Sequence, residues 1–362
     1  MIIKDIVIGH MSVPLKKPFK TAIRSVNSVD DVIIKIITDT GNVGFGSAAS
    51  TALVTGDTTE SIEGAIKNYI KKTIVGMDIE NLEGILLKLN SCIVRNTSAK
   101  AAVDIALYDL YGQLYKAPLY KLLGGYRNKL ETDITISVNS PEEMTRDSIE
   151  AVKLGYKTLK IKVGKDSKLD IERMKAIRKA VGYDIKLRID ANQGWEPKEA
   201  VRTLRKIEDA AVDIELVEQP VVASNLDGLK LVTDNVDIPV MADESVFSPK
   251  DAAKVMEMRA ADLINIKLMK TGGIYNALKI CSLAEVYGME CMLGCMLEGK
   301  VSVTAAVHLA AAKKVITKID LDGPVLCSRD DVVGGAIYNN SSITLNEGPG
   351  LGIEKLLSDS TF

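Results

Sequence analysis

The chain has 362 residues, enough for two domains at roughly 150 residues each. Hydrophobic residues make up 46%, charged residues 26%, and the formal charge is −2. That balance excludes a disordered or fibrous chain and leaves no bulk field to recruit nucleic acid or an anionic membrane, so the expected partner is a small molecule. Five cysteines (Cys92, Cys281, Cys291, Cys295 and Cys327), an odd number without a CxxC pair, read as reduced thiols rather than a disulfide framework or a zinc site. The first twenty residues alternate apolar and polar and lack the apolar stretch and small-residue cleavage site of a secretory leader. No window reaches the roughly 18 apolar residues of a membrane span, so the expected location is cytoplasmic.

Residues 2–13 and 32–38, followed by a turn region at Gly41, Gly44 and Gly46, read as an antiparallel meander. Residues 58–73, 82–92 and 98–114 then carry apolar side chains at helical spacing, which makes this first part an α+β unit ending near Gly124-Gly125. From about residue 131 the rhythm becomes strand, loop, helix. The apolar runs are 132–138, 158–163, 186–189, 214–217, 238–242, 263–267, 290–293 and 316–319. Ser140-Pro141-Glu142-Glu143 and Ser248-Pro249 mark helix starts between them. Strands alternating with helices pair in parallel, and eight such units are the count of a TIM barrel. No convincing long helix follows the eighth run, so the fold class expected is α/β, a modified (β/α)7β barrel behind an N-terminal α+β capping domain. The domains expected are 1–125 (capping), 126–322 (barrel) and 323–362, a Gly- and Pro-punctuated tail returning to the capping domain.

In such barrels the C-terminal strand ends build the active site. Here the charges fall at those ends. Strand two reads Thr158-Leu159-Lys160-Ile161-Lys162, and residues two apart share a side, so Lys160 and Lys162 both face the lumen or neither does. A closed barrel covered by helices has no solvated face to hold two lysines, which favours the lumen. Strands three, four and five end in carboxylates: Asp190-Ala191-Asn192, Glu218-Gln219-Pro220 and Asp243-Glu244-Ser245. One such acid is commonly a helix cap or a solvated turn, but three in succession place mutually repelling charges together, and all-oxygen ligation of a cation favours Mg²⁺. Asn192, Gln219 and Glu244 then stand behind the ligands or toward the substrate. Strand six ends at Lys267, diametrically opposite strand two, so Lys162 and Lys267 face each other across the mouth. A carboxylate held by the metal is acidified at its α-carbon, and a lysine on each face allows the proton to be removed and returned with inversion. Nearby positive charge is expected to lower the lysine pKa values.

Together, Lys160-Ile161-Lys162, Asp190-Ala191-Asn192, Val217-Glu218-Gln219-Pro220, Ala242-Asp243-Glu244-Ser245 and Ile266-Lys267 resemble the enolase superfamily in its muconate-lactonizing subgroup, and within it the dipeptide epimerases of the L-Ala-D/L-Glu type. Enolase-superfamily sites use a Lys or His base beside Mg²⁺. The resemblance implies Lys162 and Lys267 as the two bases and Asp190, Glu218 and Asp243 as ligands of one Mg²⁺ per subunit. It implies a dipeptide substrate whose α-ammonium is held by Asp320 and Asp322, which strand alternation would point the same way. Thr135, Lys160 and the segment Cys295-Met296-Leu297 become substrate contacts, and Arg24 the residue that reads a glutamate side chain. A homo-oligomer and a setting in murein-peptide breakdown also follow from the resemblance. Two positions depart from it: Ser47 stands where many relatives carry Glu, and Cys295 where some carry Ser. Acid-sugar dehydratases and mandelate-type racemases need a histidine base, whereas this chain has only His10 and His308, neither at a strand end. N-acylamino acid racemase, o-succinylbenzoate synthase and muconate cycloisomerase share the lysine pair without needing the paired aspartates. A catalytically dead barrel with a binding role should have lost a lysine or a metal carboxylate.

Overall fold

The computed structural model describes residues 1–21 and 25–357. The chain opens with a three-stranded antiparallel sheet, Ile3–Lys20, Ser25–Thr38 and Val43–Ala49, in sequential order. The first two strands run longer than their apolar alternation suggests. The first passes through Pro14, and the pairing register shifts between Pro14 and Phe19, where the sequence Pro-Leu-Lys-Lys-Pro removes ladder donors. Gly41, with φ of 81°, does sit in the expected turn. Gly44 and Gly46 do not: both lie inside the third strand. Their role is close approach, because a Cβ at Gly44 would overlap the Ala106 carbonyl and one at Gly46 the Ala102 carbonyl, both on the helix Thr97–Leu114. That helix is buried on almost every side, which explains why its apolar residues are not confined to one stripe. The expected helix over 58–73 is real but interrupted by a π-turn, Ile66–Ile70, between Thr59–Ala65 and Lys71–Ile74. Helix Leu82–Ser91 completes this part.

Eight parallel strands follow, each beside its sequence neighbour: Ile134–Ile136, Thr158–Lys162, Lys186–Asp190, Ile214–Glu218, Val240–Ala242, Leu263–Ile266, Glu290–Gly294 and Ile316–Asp320. They are numbered one to eight below. The seam between eight and one is drawn together by Asp133 N–H to Ile319 O (3.4 Å) and Leu321 N–H to Thr132 Oγ1 (2.9 Å). Helices cover the outside after the first seven strands, from Pro141–Lys153 to Lys300–Ala312, whereas strand eight is followed only by the short turn of helix Gly323–Leu326. The starts at Ser140 and Ser248 are as expected: each hydroxyl accepts an amide three residues on, with Pro at the first helical position. Alternation along each strand sends one set of side chains outward to the helices and the other inward. The inward set includes an apolar cluster (Leu216, Met241, Leu263 and Met292) and, at the same level, Arg188, which pairs with Asp133 at 2.7 Å and with Glu215 at 2.6 Å. The next layer up is charged and forms the mouth.

Two barrel helices begin on glycine and take their N-terminal caps from the first part of the chain. Helix Ile274–Tyr287 starts after Gly273, and Asp104 of helix Thr97–Leu114 accepts Ile274 N–H at 2.6 Å and Tyr275 N–H at 3.3 Å. A side chain at Gly273 would overlap that carboxylate. Helix Lys300–Ala312 starts after Gly299, and there Asp31 accepts Gly299 N–H at 2.9 Å while Ser47 accepts Ser302 N–H at 3.0 Å. His308 on the same helix is buried. Its Nδ1 accepts Tyr120 N–H at 3.0 Å and its Nε2 lies 3.3 Å from Leu351 O, so it ties the helix to neighbours on both sides. The last described residues run back over the first part: Leu351 N–H reaches Asp109 Oδ1 at 2.8 Å, and Ser328 N–H reaches Pro14 O at 2.8 Å. Among the described residues no helix is long and apolar enough to cross a membrane.

Candidate active site

Lys160 and Lys162 both project into the lumen and are buried. Their strand lies between one and three, so outward-pointing lysines would have had to sit among apolar helix faces; the lumen offers carboxylates instead. Lys162 Nζ stands 2.5 Å from Asp190 Oδ2. Lys160 Nζ donates to Asp320 Oδ2 and lies 3.8 Å from Glu218 Oε2 and 3.9 Å from Asp190 Oδ2. Across the mouth, Lys267 follows the last residue of strand six and points inward, 2.6 Å from Asp243 Oδ2 and 3.7 Å from Glu218 Oε1. Strands two and six are four places apart in a ring of eight, so the two lysine amines flank the acids of strands three, four and five from opposite walls. Gly294 on strand seven makes room: a Cβ there would stand 3.1 Å from Lys267 Cε and 2.7 Å from Asn265 Oδ1.

The three acids are essentially inaccessible to solvent. Glu218 is pushed up to about 8, first by burial and then by Asp190. Asp243 goes the other way. Burial, the largest influence, works against its charge, yet the ammonium groups of Lys267 and Lys270 hold it well below the usual carboxylate range. Lys267 itself is not lowered as the sequence led us to expect. Burial pulls its pKa down, but Asp243 and Glu218 together outweigh that and carry it upward. Lys160 is likewise raised by Asp320, Glu218 and Asp190 against burial. Carboxylates, not cations, are the nearest neighbours of both amines.

The remaining expected residues gather at the same mouth. Thr135, Lys160, Lys162, Asn192, Glu244, Lys267, Cys295, Met296, Leu297, Asp320 and Asp322 share one small cavity of about 60 Å³ with Phe19, Thr21 and Val54 from the first part of the chain. A larger cavity of about 710 Å³ adjoins it on the outer side of strand one and shares Phe19, Thr135 and Leu326. The ionisable groups converge in the smaller one. Asp322 departs from expectation in one respect. Strand eight ends at Asp320, and Asp322 is helical in backbone, at the start of Gly323–Leu326. It reaches the mouth from that turn, accepting Thr135 N–H at 2.7 Å. Gln219 faces away from the mouth, with its amide oxygen accepting Asp243 N–H (2.8 Å) and its amide nitrogen donating to Ser245 Oγ (2.8 Å), which locks the ends of strands four and five together. Asn192 donates to Glu244 at 3.3 Å. Arg24 lies outside the described residues.

Two residues escaped the sequence reading. Asn265 donates to Glu218 Oε1 at 2.7 Å, and its place two residues before Lys267 was a usable signal, since both must face the lumen. Lys270, wholly buried, lies one helical turn past Lys267 and stands 2.5 Å from Asp243 Oδ1.

Asp190, Glu218 and Asp243 suit a hard divalent cation: the donors are all oxygen, and Glu218 Oε2 is buried without accepting a hydrogen bond. Among the described residues no three acid, histidine or cysteine side chains converge as a closed cage, because Asp190 and Asp243 are turned onto ammonium groups. Asp320 Oδ1 and Glu244 Oε2 are likewise buried acceptors without partners.

A (β/α)7β barrel with opposed lysines, intervening acids and an α+β domain reaching the mouth defines a class of proton-transfer enzymes. The chain belongs to the enolase superfamily, in the mandelate racemase and muconate lactonizing enzyme family: residues 3–124 match the mandelate racemase / muconate lactonizing enzyme N-terminal domain, and residues 143–356 match the family described as enolase C-terminal domain-like. It is 83% identical to the L-Ala-D/L-Glu epimerase of Clostridium acetobutylicum over 98% of this chain and 99% of that one. The L-Ala-D/L-Glu epimerase of Bacillus subtilis, solved as a substrate-liganded complex, superposes with a TM-score of 0.98 at 52% identity, covering 99% of this chain and 100% of that one. A dipeptide epimerase from Enterococcus faecalis, solved with Mg and L-Leu-L-Tyr, gives a TM-score of 0.95 at 44% identity, over 98% of this chain and 100% of that one.

Proposed function

We propose that the chain is a dipeptide epimerase that inverts the α-carbon of the C-terminal residue, interconverting L-Ala-L-Glu and L-Ala-D-Glu. The observation that carries this is the pair of lysines on opposite walls of one barrel mouth, Lys162 at Asp190 and Lys267 at Asp243. A group that removes the α-proton from one face, leaving a planar carbanion, and another that delivers a proton to the opposite face are what 1,1-proton transfer with inversion requires. A histidine-based reaction is disfavoured because both histidines are elsewhere, His308 as a packing tie and His10 beside Glu63 at 3.2 Å on the surface.

Asp190, Glu218 and Asp243 would hold one Mg²⁺ per subunit. Bound there, the cation would draw these carboxylates from the lysines and stabilise negative charge developing on the substrate carboxylate. Asp320, with one oxygen unpartnered, and Asp322 accept the dipeptide's α-ammonium. Met296, Leu297 and Thr135 line the path of its backbone, and Lys160 adds positive charge on the carboxylate side. Arg24 reads the glutamate carboxylate by a bidentate pair. A cytoplasmic homo-oligomer working on murein peptides fits this substrate, with residues 1–125 as the specificity domain, 126–322 as the catalytic barrel and 323–362 as the returning tail.

The test is to incubate purified protein and Mg²⁺ with a library of L,L-dipeptides in D₂O and follow α-deuterium by mass spectrometry. Gain of one deuterium, greatest with Ala-Glu, supports the proposal. Absence of gain in every dipeptide rejects it.

A further inference from the structure

The turn that follows strand seven carries Cys295, Met296 and Leu297 into the small cavity beside Lys160 and Lys267. Turns at barrel mouths are ordinarily the least constrained part of such a fold. This one is pinned at several positions. Cys295 N–H reaches Asp320 O at 3.1 Å, and Met296 N–H reaches Glu298 Oε1 at 2.8 Å. Gly299 N–H reaches Asp31 Oδ2 at 2.9 Å, and Ser302 N–H reaches Ser47 Oγ at 3.0 Å. A Cβ at Gly323 would sit 2.6 Å from the Glu298 carbonyl oxygen, and one at Gly299 would sit 2.8 Å from Asp31 Oδ2, so a neighbouring backbone and a neighbouring carboxylate both close on the turn.

Glu298 and Asp31 are both acids in the interior, 3% and 2% exposed, and neither takes part in the proton transfer or the expected cation site. Burying two carboxylates is unfavourable unless each gains something specific. Burial raises both, and Glu298 is the next cause of the shift at Asp31. What they hold in return is backbone amide: one in the substrate turn, one at the start of the helix behind it. Asp31 and Ser47 belong to the capping sheet, so the seating of that sheet is transmitted through Gly299 and Glu298 to Met296.

We propose that Glu298 and Asp31 are positioning residues that fix the 295–297 turn against the substrate, and so couple the capping sheet to dipeptide affinity. This rests on the dipeptide-epimerase reading. Lys162 and Lys267 are held by Asp190 and Asp243 instead, so loss of the strut acts on binding before it acts on proton transfer.

The experiment measures steady-state epimerisation of L-Ala-L-Glu by wild type, Glu298→Ala and Glu298→Gln with Mg²⁺ present, together with amide hydrogen exchange at Met296 and Gly299. Glu298→Ala is expected to raise KM about tenfold, equivalent to about 1.4 kcal/mol, with kcat changed less than about threefold. Glu298→Gln, whose amide oxygen can still accept Met296 N–H, is expected to restore KM to within about threefold of wild type. A fall in kcat at unchanged KM, or no rescue by glutamine, overturns the proposal. If the alanine variant does not fold, wild-type exchange decides: slow exchange at Met296 and Gly299 supports the strut, and exchange as fast as at an open turn overturns it. A wild type that epimerises no dipeptide rejects the underlying functional reading instead, a result the exchange data cannot mimic.

Discussion

Lys270 offers the sharpest test of how the mouth is held together. It is wholly buried, 2.5 Å from Asp243 Oδ1, and donates to Asp243 O and to Asn265 O, the latter at 3.0 Å. Lys270→Met removes the cation at nearly constant volume and leaves Asp243 with Lys267 alone. Breaking one side of a buried ion pair costs about 3–5 kcal/mol, because the remaining charge and carbonyls stay buried. With an unfolding entropy of roughly 2.1 cal/mol/K per residue, a chain of 362 residues has about 0.8 kcal/mol/K, so the loss is about 4–7 °C in Tm. Differential scanning calorimetry measures it. Lys230→Met is the control, since the Lys230–Asp234 pair (3.0 Å) is about half exposed and should cost under about 1 kcal/mol. Equal Tm shifts for the two variants would refute the argument that burial sets the cost.

Gly46→Ala drives a methyl into the Ala102 carbonyl and should destabilise by about 1–3 kcal/mol in urea, whereas Gly64→Ala, in helix Thr59–Ala65 with nothing within 4 Å, should be neutral or stabilising. His308 is pushed down to about 4 by burial, so the folded chain resists protonation that the unfolded chain accepts near 6.5. Its contribution is intact above pH 6.5 and is lost as pH falls to about 4, about 3 kcal/mol over that window. His308→Asn should therefore flatten the acid limb of a Tm-versus-pH curve, and an unchanged slope would refute the assignment. Arg24→Ala should weaken Ala-Glu turnover far more than that of apolar dipeptides, and equal losses on both would discard its role.

The site was legible wherever a charge interrupts an apolar strand. Lys162, Asp190, Glu218, Asp243 and Lys267 each sit where an inward-facing ionisable group has no ordinary structural purpose, so strand phase and count sufficed. Asp320 was reached through the family resemblance rather than by strand phase alone. Asp322 reached the mouth by a different backbone path because strand eight stops two residues earlier. What alternation could not show was anything depending on a remote partner. Asp104 gains its meaning from Gly273, and Asp31 from Gly299, across more than 150 residues in each case. Gly44 and Gly46 looked like punctuation because close packing against a helix and a tight turn leave the same trace in a sequence. The direction of the Lys267 shift differs for a related reason: the sequence orders charges along strands but does not say which oxygens end nearest each amine.

The opposed-lysine account is tested most directly by following α-proton exchange in D₂O for Lys162→Ala and Lys267→Ala, each supplied separately with L-Ala-L-Glu and L-Ala-D-Glu. Each variant should lose epimerisation yet wash deuterium into one epimer, and the epimer should be opposite for the two variants. Exchange of the same epimer by both, or continued epimerisation by either, would contradict it.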